Sequence, residues 1–156
     1  MKHTWKIYAA WILLTEAVGG LSGWLTRDGA KAYGESIAQP PLSPPALVFP
    51  IVWGILFVLM GIGAARIYLS PASQARTNSL RLFLVQLAFN FFWSILFFNL
   101  QFFGWALVWL LILWGLILWM IVSFHKVDPL AAWLQIPYLL WVTFAAYLNY
   151  GVWILN

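Results

Sequence analysis

Three sets of residues recur at intervals that put each set on one face of a helix, and each joins large aromatic rings to small or amide side chains. Gln86, Asn90, Trp93 and Phe97 follow one another at steps of four, three and four, which is one stripe of an α-helix. Trp53, Phe57 and Gly61 make a second stripe, and Pro137, Trp141, Ala145 and Asn149 a third. Rings stack on flat apolar molecules and amides supply hydrogen bonds, so the chemistry on offer is non-covalent recognition of an aromatic ligand. A small residue beside a large ring, Gly61 or Ala145, leaves a recess, and a recess on a face shared by three helices makes a pocket. The same amides also glue helices together in membranes. For Gln86, Asn90 and Asn149 the sequence leaves both roles open.

Glu16 is the one acid deep within an apolar stretch. An acid there is a proton carrier, a counter-ion for a cation, or a neutral group bonded to a neighbouring helix; the sequence does not choose among them. Gly19 and Gly23, and likewise Gly61 and Ala65, are small-xxx-small pairs that let helices approach closely, within the chain or between two copies. Conventional catalytic signatures are missing. His3 and His125 are isolated, so no metal site is expected. Cysteine is absent, which removes disulfides and thiol chemistry. There is no Ser/His/acid set inside the apolar segments and no phosphate-cradling glycine loop.

These groups need helices in a bilayer to position them. The chain is 64% hydrophobic and only 8% charged, against about 25% charged for an ordinary soluble domain. The net charge of +4 comes from basic residues in short connections, where it reads as topology and not as nucleic-acid binding. Twelve tryptophans, several in the middle of apolar runs, suggest an aromatic-lined interior more than an interfacial belt. Residues 5–25, 46–69, 80–103, 105–124 and 130–155 are each long enough to span the hydrocarbon, which takes roughly 20 residues. The expected fold is therefore an all-α integral membrane protein, a single domain of five transmembrane helices.

Arg27-Asp28-Gly29 ends the first span, Pro40, Pro41, Pro44 and Pro45 open the second, and Ser70-Pro71 closes it. A turn at Gly104 divides the third from the fourth, and Val127-Asp128-Pro129 starts the fifth. The first span is too long for the apolar core of a cleavable signal peptide. Lys2, Lys6, Arg66, Arg76, Arg81 and Lys126 fall on one side and only Arg27 and Lys31 on the other, which makes the N-terminus cytoplasmic. A bacterial inner membrane suits such spans. The connection 26–45, stiffened by prolines, reads as a lid over a pocket.

The motifs resemble those of the TspO/MBR family, also called tryptophan-rich sensory proteins, translocator proteins or peripheral benzodiazepine receptors. Three blocks carry the resemblance across nearly the whole chain: Gln39-Pro40 through Pro44-Pro45 with Phe49-Pro50-Ile51-Val52-Trp53, Leu87 to Trp93 with Phe97-Phe98 and Gly104-Trp105, and Pro137 to Ala145 with Leu148-Asn149. It implies a homodimeric five-helix bundle with a pocket beneath the first loop. The implied ligands are protoporphyrin IX or a related tetrapyrrole and isoquinoline or benzodiazepine drugs, with no further cofactor and with membrane lipid around the bundle. Carried over by motif, the site is Tyr33, Pro44, Pro45, Trp53, Phe57, Gln86, Asn90, Trp93, Phe97, Trp141, Ala145, Leu148 and Asn149. Some bacterial members promote light-dependent porphyrin breakdown, which the resemblance would assign to Trp53 and Trp141.

Three features depart from that pattern. The first loop reads Tyr33-Gly34 and Gln39 where the family usually has Trp-Tyr and a Lys, so a basic partner for a porphyrin carboxylate is missing. After Tyr150 no Lys or Arg follows, so sterol recognition by that motif is not expected. Glu16 lies outside the family motifs and supports an alternative function, a small proton-coupled exporter of aromatic cations.

Overall fold

The computed structural model describes residues 3–156, so Lys2, one of the topology residues, lies outside it. The order is α1 (Thr4–Leu25), α2 (Arg27–Ser36), α3 (Val48–Tyr68), α4 (Gln74–Ser94), one turn of π-helix (Ile95–Asn99), α5 (Phe103–Val127), α6 (Pro129–Trp133) and α7 (Ile136–Leu155). No strand occurs among the described residues.

Helix starts follow local chemistry. Ser73 accepts the Arg76 amide at 3.0 Å and starts α4 six residues before the expected Leu80, as an N-cap does. Prolines sit in the first turns of α6 and α7, where their missing N–H costs nothing. The fifth expected span is thus interrupted at Leu134 and Gln135. Gln135 fills the corner by donating to the Leu59 carbonyl at 3.0 Å, and a Cβ on Gly63 would collide with that amide.

Two expectations about breaks change. The third and fourth long helices are separated not at Gly104 but at residues 100–102, where Gln101 takes a positive φ of 54°. Gly104 lies inside α5 because the Trp153 indole packs against it, 2.9 Å from where a Cβ would stand. Residues 26–45 are not all loop either, since α2 occupies the first half and Asp28 sits favourably in its first turn.

Among the described residues four segments are long and apolar enough to cross a membrane: Val48–Tyr68, Gln74–Asn99, Phe103–Val127 and Pro129–Leu155. The chain is an integral membrane protein. Helix α1 is of similar length, but Thr15, Glu16, Ser22 and three glycines make it less apolar and leave it outside that set. It packs along α3 and touches α4, while α5 lies against α4, α6 and α7.

Bridging polar groups tie the bundle. Thr15 donates to the Phe57 carbonyl at 2.7 Å, Ser79 pairs with Ser123 at 2.7 Å, and the Trp109 indole donates to the Phe89 carbonyl at 2.8 Å. Away from α2 the interior is solid, built on Met60, Ala64, Ile67, Phe83, Ile117, Met120, Phe124 and Tyr138, all fully buried. The half nearer α2 is open.

The tryptophans divide between the interior and the surface. Trp5, Trp24, Trp105, Trp119, Trp133 and Trp153 are exposed. Five of the six lie near helix ends, and Trp119 about two turns from the end of α5, as amphipathic rings at both membrane interfaces do. Apart from Trp5, their neighbours in sequence are mostly apolar too, which hid the belts.

Candidate functional site

The open half encloses a cavity of about 810 Å³, within the usual range for small-molecule sites. Helices α1, α3, α4 and α7 form its walls, and α2 with residues 39–46 covers it. Twelve of the thirteen residues expected at the site line it: Tyr33, Pro44, Pro45, Trp53, Phe57, Asn90, Trp93, Phe97, Trp141, Ala145, Leu148 and Asn149.

Gln86 is the exception. It is fully buried one turn below Asn90, where Tyr138 donates its hydroxyl hydrogen to Gln86 Oε1 at 2.7 Å. Tyr138 in turn accepts from Asn90 Nδ2 at 2.8 Å, so Gln86 is held behind the wall by Tyr138 and does not reach the cavity. Gly61 makes no recess, because the Ile12 backbone fills the space a Cβ would need. Pro137 is exposed at the start of α7 and does not line the cavity.

The rings are held at several angles. Trp53 stacks on Phe57 with centroids 5.6 Å apart and meets Trp141 edge-on at 6.5 Å and 88°. Trp93 stacks on Phe97 at 5.1 Å. Phe97 and Phe98, both on the cavity wall, belong to the turn of π-helix, a feature common at functional sites.

Polar groups divide into occupied and free. Trp93 donates to Asn149 Oδ1 at 3.1 Å and Asn149 Nδ2 donates to the Phe103 carbonyl at 2.8 Å, so Asn149 is a strut between α4, α5 and α7. Asn90 commits its N–H to Tyr138 and leaves its carbonyl oxygen at the wall. The Trp141 indole nitrogen is buried with no hydrogen-bond partner among the described residues.

The cover is anchored at several points. Tyr33 rests on Phe97 and Phe98 at 5.3 and 5.4 Å, and burial pushes its phenol above the ordinary tyrosine range. Tyr147 donates to the Pro41 carbonyl at 2.7 Å, and Asn156 exchanges two hydrogen bonds with the Ala38 backbone. Arg27 lies over Trp24 and donates to its carbonyl at 2.6 Å; neither it nor Lys31 lines the cavity.

Sequence reasoning did not include Phe49, Pro50, Gly54, Ser94 or Phe98 in the site, and it left Glu16 apart from the ligand-binding set; all six line the cavity. Gly54 lies one residue after Trp53, and Glu16, Gly19 and Gly23 share helical spacing, so a signal for both was available. Among the described residues no three His, Cys, Asp or Glu are grouped to hold a metal.

The TspO/MBR family model matches residues 11–154. The chain is 36% identical over 141 residues to the tryptophan-rich protein TspO of Chlorobaculum tepidum, covering 90% of this chain and 89% of that one. It is 35% identical over 141 residues to the protein CrtK of Rhodobacter capsulatus, with 90% and 87% covered. To the translocator protein of Bos taurus it is 36% identical over 155 residues, with 98% and 92% covered.

Proposed function

The chain belongs to the TspO/MBR family, and from that premise we propose that it binds a flat tetrapyrrole such as protoporphyrin IX in the cavity between α1, α3, α4 and α7. The observation that carries this reading is the convergence of Trp53, Trp93 and Trp141, from three helices, on one 810 Å³ space beneath an anchored cover. Isoquinoline and benzodiazepine drugs are smaller aromatic molecules that the same cavity has room for.

In this reading α1 is the fifth span. Its length of 22 residues gives about 33 Å at 1.5 Å per residue, and its alignment along α3 supports it. Lys6, Arg66, Arg76, Arg81 and Lys126 gather at the end away from α2, so that end and the N-terminus face the cytoplasm.

Titrating protoporphyrin IX into the detergent-solubilised protein in the dark, with tryptophan fluorescence as the signal, tests the proposal. Saturable quenching at low micromolar ligand, weakened in a Trp141→Phe, Asn90→Ala variant, is the expected result. Quenching that never saturates, or that the variant leaves unchanged, removes it. Repeating the titration under illumination asks whether porphyrin is consumed. Loss that slows when Trp53 and Trp141 are both phenylalanine assigns the photochemistry to them, and unchanged loss does not.

A further inference from the structure

Glu16 supplies the one carboxylate on the cavity wall, and among the described residues no Lys, Arg or His lines that wall. Its position is fixed by its neighbours. Thr15 is bonded to the Phe57 carbonyl, and a Cβ on Gly19, one turn along from Glu16, would run into the Phe57 ring. Glu16 therefore stands at the level of Phe57 and its stacked partner Trp53. It lies nine residues before the end of α1, about 14 Å below the covered end.

The wall above it is open. Gly20 and Gly23 line the cavity, and a Cβ on either would meet nothing within 4 Å. Glu16 itself makes no hydrogen bond or ion pair with any described residue. A carboxylate at membrane depth with no partner in its own chain is costly unless something positive or a strong donor comes to it. A free acceptor nearby points the same way, since Asn90 presents a carbonyl oxygen. Glu16 and Asn90 thus offer acceptors to a donor, and much of the remaining wall is tryptophan and phenylalanine, whose faces attract cations.

Resting on the reading of this cavity as a ligand site, we propose that Glu16 makes it a charge selector for flat aromatic molecules carrying a protonated nitrogen. The nitrogen is held by Glu16 and the ring lies against the wall that Trp53 and Trp141 form together. A carboxylated ligand enters only with its acidic groups directed away from α1, toward the mouth. No bond is made or broken, and the selection is electrostatic.

Three acridines of nearly the same shape test this in the detergent-solubilised protein at neutral pH: cationic 9-aminoacridine, neutral acridine and anionic acridine-9-carboxylate. Calorimetric titration of each is compared between wild type and Glu16→Gln. Gly54→Leu, which fills the cavity at a position where a Cβ meets no neighbour, corrects for partition into micelles. The inference expects the cation to bind at least roughly tenfold tighter than the anion in wild type, with most of that gap closed in Glu16→Gln. Acridine binding should survive the substitution, which also shows that the variant is folded. A gap that persists in Glu16→Gln, or no gap in wild type while acridine still binds, overturns the selector and leaves the ligand site standing. Absence of any acridine binding above the Gly54→Leu control overturns both.

Discussion

Trp93 donates its indole N–H to Asn149 Oδ1 at 3.1 Å, and so joins α4 to α7 across the wall of the cavity. Both side chains are buried, and the asparagine uses its own N–H on the Phe103 carbonyl. A residue that the sequence offers as a ligand contact is thus already engaged in holding two helices at the separation that leaves room for a ligand. Recognition here depends on struts as much as on contacts.

Replacing Asn149 by leucine keeps the volume and removes both bonds. The Trp93 N–H is then left without a partner in an apolar setting, while the Phe103 carbonyl keeps its partner within α5. Interhelical hydrogen bonds in membranes contribute on the order of 1 kcal/mol each, so the variant should lose about 1–3 kcal/mol of stability. Unfolding of the purified protein by heat or denaturant reads this directly. An unchanged midpoint would mean that the strut carries no load.

Tyr138 supplies a second comparison. Its hydroxyl sits between Asn90 and Gln86, and Tyr138→Phe orphans a donor on one and an acceptor on the other. Unpaired buried groups cost about 1–3 kcal/mol each. Gln86→Leu removes one of those groups altogether, and Gln86 Nε2 is unpartnered to begin with, so it should cost less than Tyr138→Phe. It should also leave ligand affinity nearly unchanged, because Gln86 does not reach the cavity. A Gln86→Leu variant that binds several-fold more weakly would contradict the placement of this residue behind the wall.

Glycines of one type in the sequence separate into two in the structure. A Cβ on Gly54 meets nothing within 4 Å, whereas one on Gly61 overlaps the Ile12 backbone of α1. Backbone cannot move aside as a flexible side chain can. Gly61→Ala should therefore cost roughly 1–3 kcal/mol, the usual range for overpacking, and Gly54→Ala close to none. Enlarging the second substitution to Gly54→Leu should abolish ligand quenching without lowering the unfolding midpoint. If both glycine variants unfold alike, α1 and α3 do not meet where described.

The sequence carried much of this because helical spacing is a local property. Asn90, Trp93 and Phe97 share a face by arithmetic, and so do Trp141, Ala145 and Asn149. Which member of a stripe reaches the cavity is not local. Gln86 belongs to the same stripe as Asn90 but is intercepted by Tyr138 from another helix, and Gly61 is closed off by α1. The turn of π-helix that carries Phe97 and Phe98 left no visible mark on the apolar run that encodes it. Helix α2 was hidden because Gly29, Gly34 and the prolines beyond suggested irregular chain. Yet Gly29 serves a packing purpose, lying where a Cβ would strike the Phe98 backbone.

The cover provides the last prediction. Pro40 is buried, and a Cβ on Gly151 of α7 would overlap its ring. This glycine allows the proline segment to lie flat on the helix, and the Tyr147 and Asn156 hydrogen bonds hold it on either side. Gly151→Val should push Pro40 away and loosen residues 37–47 while leaving the α3–α4–α5 interior intact. Proteolysis in detergent should then cut this segment at least several-fold faster, with the unfolding midpoint lowered by less than it is in Asn149→Leu. Ligand should leave faster from the loosened site, because affinity changes of this kind appear mainly in the dissociation rate. A smaller side chain in Gly151→Ala should recover part of the protection, since a methyl displaces the proline less than an isopropyl group. Equal cleavage of wild type and Gly151→Val would show that the segment is held by its own prolines and not by α7.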